Sequence, residues 1–174
     1  MERTLQDRAT GRGRVRGDSR RTDPPKALTD RARRYSGAAV AALLAADGLV
    51  HLYWATGATW PAPDEQSLSL AVLGTAVSFG PPVVLPLAAL TLTGAAAVLA
   101  HSRRPGSPAV RRAARLVTAA VAAGLAVRGL AGLAWAAGLL DSPQDSPFHV
   151  LNLALYTPAC LGFGWAAARL ARGR

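Results

Sequence analysis

The chain has 174 residues, which suits one domain; 51% of them are hydrophobic, yet the formal net charge is +10. A water-soluble domain does not combine these values, but a chain that segregates its charges from its apolar residues does. Here Ala, Leu, Val and Gly fill four long blocks, while arginine fills the ends and one connection.

Residues 1–34 are polar, with eleven Lys or Arg and five Asp or Glu among Gly, Pro, Ser and Thr. Nothing here can bury a core, so the expectation is a disordered basic cytoplasmic tail. It has no zinc-finger spacing, heptads or interleaved aromatics, so no nucleic-acid partner is expected. The first apolar run begins too late and is too long to be the core of a signal peptide.

The apolar blocks cover about 36–54, 82–101, 116–140 and 150–170. Each is near the ~20 residues that cross a bilayer as a helix, and in lipid the backbone of an open segment must satisfy its own hydrogen bonds. The prediction is an all-α fold: a polytopic four-helix transmembrane bundle over 35–171 behind the basic tail. The connection "SRRPGSPAVRRAAR" holds five arginines, and the C-terminal end holds Arg169, Arg172 and Arg174. The other two connections hold none, so 19 of the 20 positive charges fall on one side if both termini are cytoplasmic. This describes a multi-pass protein of the plasma membrane. Its partner is the lipid bilayer, and no protein partner can be read from the sequence.

Between the first two blocks, "SLSLAVLGTAVSFG" has too few apolar residues to span. Alternation at Leu68, Leu70 and Val72, then Gly74, predicts a short extended or hairpin-like piece on the outer surface, with a re-entrant segment as the alternative. Pro81 and Pro82 start the second helix, where missing amide donors cost least, and Pro86 bends it slightly.

Three residues carried within the apolar blocks need weighing: Asp47, His51 and Arg128. An isolated charge at the bilayer centre costs roughly 2.5–3.5 kcal/mol on insertion scales, so such groups are buried and partnered. Counted from the inner ends of their helices at ~1.5 Å per residue, Asp47 and Arg128 both lie roughly 16–18 Å deep. An Asp47–Arg128 ion pair near the midplane is therefore expected. Gly124, Arg128 and Gly132 share one face of the third helix, and Asp47 and His51 one face of the first, beside Gly48. In the fourth, His149, Asn152, Tyr156 and Cys160 fall on one stripe, and Tyr156 reaches the depth of His51. The expected site is a polar intramembrane seam of Asp47, His51, Arg128, Asn152 and Tyr156. Cys160, the single cysteine, excludes an intramolecular disulfide and reads as a small buried apolar residue.

Tyr53, Trp54 and Trp60 at the outer end of the first helix, and Trp135 near that of the third, read as interface anchors; Tyr35 and Trp165 mark inner ends. His51, His101 and His149 have no Cys or carboxylate pair at ligand spacing, so no metal or other cofactor is expected. No Walker loop, Rossmann glycine pattern, HExxH or GxSxG elbow is present, and enzymatic machinery of the soluble type is not visible. The first functional reading is a structural or accessory membrane protein whose seam fixes helix packing. The second is a small proton-coupled or small-molecule transporter using Asp47, His51 and Tyr156. The third is a membrane-bound redox or haem protein.

"HLYWATG" (51–57) followed by Trp60, then Arg128-Gly129-Leu130, then "LYTPACL" (155–161) resemble, in order and spacing, a bacterial and chiefly actinobacterial family of membrane proteins, domain of unknown function 3995. The similarity covers roughly residues 36–170. The resemblance implies a four-helix integral membrane domain and carries no activity with it.

Overall fold

The computed structural model describes residues 26–140 and 147–173. The described residues are helical or loop. The elements are α1 (Lys26–Trp54), α2 (Glu65–Leu73), α3 (Pro81–Arg103), α4 (Pro108–Ala136) and α5 (Pro147–Leu151), which runs through a π-helical turn (Asn152–Tyr156) into α6 (Thr157–Arg172). Four spans are long and apolar enough to cross a membrane: Thr29–Trp54, Pro81–Arg103, Pro108–Ala136 and Pro147–Arg172. Leu90, Leu116, Val127 and Leu130 on their outer faces are more than half exposed. A continuous apolar exterior of this kind belongs against lipid. The chain is a multi-pass membrane protein.

The helices form two hairpins. α1 lies along α3 and α4 lies along α6; α3 contacts α4 and α1 contacts α6, so α1 and α4 stand across the bundle diagonal. One core joins the four spans through Val40, Ala41 and Leu44 of α1, Ala95 and Val98 of α3, Ala122 of α4, and Ala167 and Leu170 of α6. The α1–α3 contact is close because Gly48 has no side chain: a Cβ there would lie 2.6 Å from Leu92 and 2.8 Å from the Thr91 hydroxyl.

The spans overshoot their predicted limits at the end where α1 begins and α6 finishes, hereafter the basic end. Residues 1–25 of the expected disordered tail lie outside the described residues, whereas 26–34 are helical and continue α1. Arg33 explains the extension. Its terminal nitrogens donate to the carbonyls of His101 and of Ser102, the latter at 2.9 Å, at the last turn of α3. Those carbonyls lack intrahelical partners and carry the negative end of the helix dipole. His101 Nε2 donates to Leu170 O at 3.0 Å and Arg115 Nε to Ala171 O at 3.0 Å, closing the end of α6 in the same way. Arg33→Gln should therefore cost about 1 kcal/mol of stability, since a charge-assisted bond is lost but water can reach part of the site. Thermal unfolding in detergent, with Arg34→Gln as the exposed control, reads this directly. At its start α4 is capped by Ser107, whose Oγ accepts from Val110 N, so it begins at Pro108 rather than near 116 and ends at Ala136 rather than 140.

The connection after α1 is a helix, not the extended or hairpin-like piece expected. Asp64 caps α2 by accepting from Ser67 N at 2.7 Å, and those bonds hold its carboxyl below the usual carboxylate range. Gly74 ends it at φ 72°, the left-handed position that favours glycine. The apparent alternation of Leu68, Leu70 and Val72 was outweighed by these two caps. Leu68 is buried with Trp54, Phe79 and Val84, and Val72 one turn on joins them. The following strand-like segment is tied back by Glu65, which accepts from Phe79 N at 2.6 Å, and by Ser69, whose Oγ accepts from Val77 N and donates to Thr75 O.

Candidate functional site: an arginine among aromatic rings

Pro158 sets up the local geometry. It has no amide hydrogen to continue the helix ladder, and the helix widens in the preceding turn, where Thr157 N donates to Asn152 O five residues back. In a regular α-helix residues 152 and 157 point well apart. The π turn brings them to one side, facing α4. Both are buried, and Thr157 Oγ1 donates to Asn152 Oδ1 at 3.2 Å.

Asn152 is the centre of the site. Its Oδ1 also accepts from Arg128 Nη1 at 3.2 Å, and its Nδ2 donates to Gly132 O at 2.9 Å. The side chain thus reads one arginine and one backbone carbonyl of α4, four residues apart. Arg128 extends past Asn152 into a ring of aromatics. Its guanidinium carbon lies 5.3 Å from the Trp135 ring centre, 5.5 Å from Tyr156 and 5.9 Å from Phe148. Trp135 and Phe148 meet edge to face at 5.2 Å. Three π faces within ~6 Å stabilise a cation without neutralising it.

The seam expected from the sequence is divided. Arg128, Asn152 and Tyr156 come together between α4 and the last span. Asp47 and His51 form a second cluster on α1. His51 Nδ1 donates to Asp47 O at 2.8 Å and stands 3.5 Å from Asp47 Oδ2. The His51 ring meets Trp54 edge to face at 5.4 Å, and Trp54 meets Phe79 in the same way. The Asp47–Arg128 ion pair is not formed: matched depth does not make neighbours of helices on a diagonal. Tyr156 faces Arg128, and no ring contact or hydrogen bond joins it to His51 among the described residues.

Two aromatics expected at the interface have other surroundings. Trp54 is 8% exposed and donates Nε1 to Trp60 O at 3.1 Å, and Trp135 lies over Arg128. Tyr53 and Trp60 are exposed, at 45% and 72%. Of the two glycines flanking Arg128, Gly132 is buried against Thr157 and Asn152, while a Cβ on Gly124 would meet nothing within 4 Å. Sequence reasoning missed Thr157, Phe148 and the inward role of Trp135. The signal for Thr157 was Pro158, which in an apolar helix announces a break in the regular register.

A family model described as "Protein of unknown function (DUF3995)" matches residues 29–167. The chain belongs to that family. The matched segment of this DUF3995 protein contains every member of both clusters, and it takes in the four spans apart from the last turn of α6. No curated protein and no solved structure matches the chain. Among the described residues no three His, Cys, Asp or Glu side chains converge as metal ligands do. Chemically, the Arg128 cluster is a held cation whose hydrogen-bonding partner is fixed on both sides, and the Asp47–His51 pair is a carboxyl and an imidazole in contact on one helix face.

Proposed function

We propose that this DUF3995 chain is a structural or accessory protein of the plasma membrane, with both termini cytoplasmic, in which the Arg128–Asn152 knot selects one packing of α4 on the last span. The observation that carries this reading is the closure of the knot: Asn152 is 1% exposed, its Nδ2 donates to Gly132 O, and its Oδ1 accepts from both Arg128 and Thr157. Lipid supplies no hydrophobic drive between helices, so directional polar contacts set register there. A side chain this deeply buried, bonded at both its nitrogen and its oxygen to protein groups, holds helices together rather than receiving a substrate.

The orientation is supported by the arginines at the basic end and by their absence from the opposite connections. In a Cys160→Ala background, a cysteine at Ser67 should react with a membrane-impermeant maleimide on intact cells. One at Gly106 should react only after permeabilisation. The reverse pattern overturns the assignment.

A second reading, a small proton-coupled or small-molecule transporter, is favoured by one observation. The Asp47 side chain is 48% exposed although it lies within a span, beside a His51 that is 13% exposed. A carboxylate facing lipid is costly and one facing a water path is not. Proteoliposomes holding a pH-sensitive dye separate the readings: a flux abolished by Asp47→Asn supports transport, and no flux supports the structural role.

A further inference from the structure

Between α4 and α6 a groove of about 820 Å³ runs up from the basic end. Its upper part is lined by Ala119, Ala123, Ala126, Leu161 and Gly164, and its lower end by Arg112, Arg115 and Arg172. No acidic side chain lines it. Leu116 and Trp165, 65% and 61% exposed, open it toward the lipid side. Arg115 is held in place by its bond to Ala171 O, whereas Arg112 and Arg172 make no side-chain hydrogen bond or ion pair among the described residues.

Dimensions and charge point to one occupant. From Arg112 to Ala126 the helix rises ~21 Å at ~1.5 Å per residue. That is about half of the ~40–45 Å bilayer, the length of one lipid from head group to chain end. The groove is apolar where the chain lies and cationic at the level of the head group. We infer that it is a binding site for an anionic glycerophospholipid of the leaflet at the basic end, with the phosphate between Arg112 and Arg172 and one acyl chain along Ala119, Ala123 and Ala126. A zwitterionic lipid carries its own cation to the same place and gains less. The site is separate from the Arg128 cluster and does not depend on the role proposed for it.

Trp165 supplies the readout, because it lines the groove. The full-length protein is placed in vesicles containing lipids brominated on the acyl chains, either phosphatidylglycerol or phosphatidylcholine. The part of the fluorescence quenching that disappears in Trp165→Phe reports occupancy at this groove. Brominated phosphatidylglycerol should quench this part more strongly than brominated phosphatidylcholine. Each arginine near the surface is worth about fivefold in preference for an anionic lipid, so Arg112→Gln/Arg172→Gln should abolish the difference. The pair Arg112→Lys/Arg172→Lys should keep it, which distinguishes lost charge from lost folding. Arg31→Gln/Arg34→Gln removes equal charge from another face of the basic end and should also keep it. Equal quenching by the two lipids in the wild type overturns the site. So does selectivity that survives the Gln pair at 112 and 172, or that is lost equally in the Lys pair or the control pair.

Discussion

Replacing Asn152 by leucine should destabilise the protein by about 3 kcal/mol, seen as a lower midpoint of thermal unfolding in detergent micelles. A neutral hydrogen bond between membrane helices averages only ~0.6 kcal/mol and reaches ~1.7. The larger figure comes from what the substitution strands. Arg128 loses its only hydrogen-bond acceptor among the described residues and Gly132 O loses its side-chain donor, while Thr157 Oγ1 is left buried without its acceptor. An unsatisfied buried group costs about 1–3 kcal/mol, more when it is charged. The three rings around the guanidinium hold it where it is, so it does not escape to water at little cost. Adding Arg128→Leu should therefore recover part of the loss, because removing both members of a buried polar pair is far less costly than removing one. The same cycle between Asp47 and Arg128 should be additive, since no bond joins them. A non-additive Asp47–Arg128 cycle, or an additive Asn152–Arg128 cycle, would refute this arrangement.

Depth could be read from the sequence, but adjacency could not. The spans, their order and the sidedness of the arginines follow from hydropathy and charge, which act along one axis. Which helices touch depends on the other two axes. Residue counting places Asp47 and Arg128 at one depth, and nothing in either helix states that α3 and α6 lie between them. The stripe through His149, Asn152, Tyr156 and Cys160 assumed a constant 3.6-residue period. Pro158 breaks that period, which turns Thr157 onto the side of Asn152. The α2 region failed for a similar reason. Three alternating apolar residues suggested a strand, but the decisive information lay in Asp64 and Gly74, a helix start and stop separated by one short helix. By contrast, Gly48 and Gly132 were read correctly as places of close approach, because in lipid small residues at a helix face have few other uses.

That last rule has an exception on α4 which gives the second large effect. Gly124 and Gly132 lie at equal distances from Arg128 on either side. Gly132→Ala should nevertheless cost about 2–3 kcal/mol, while Gly124→Ala should be neutral or stabilise by up to about 1 kcal/mol. A methyl group at 132 would lie 3.0 Å from Asn152 Oδ1 and 3.1 Å from Thr157 Cβ, and closer still to the Thr157 hydroxyl. The obstructing atoms belong to a buried, β-branched side chain and to the acceptor of the whole knot, so Thr157 does not yield without breaking its bond to Asn152 Oδ1, nor Asn152 without breaking its bonds to Arg128 and Gly132 O. At 124 the new methyl meets open space, and alanine reduces the conformational freedom of the unfolded chain. Thr157→Ala in the Gly132→Ala background tests the clash, because it removes the hydroxyl that lies nearest to the added methyl. Removing that hydroxyl should restore part of the stability only if the two helices had been forced apart by its contact with the added methyl. Equal effects at 124 and 132 would mean that α4 does not approach the π turn as closely as this geometry requires.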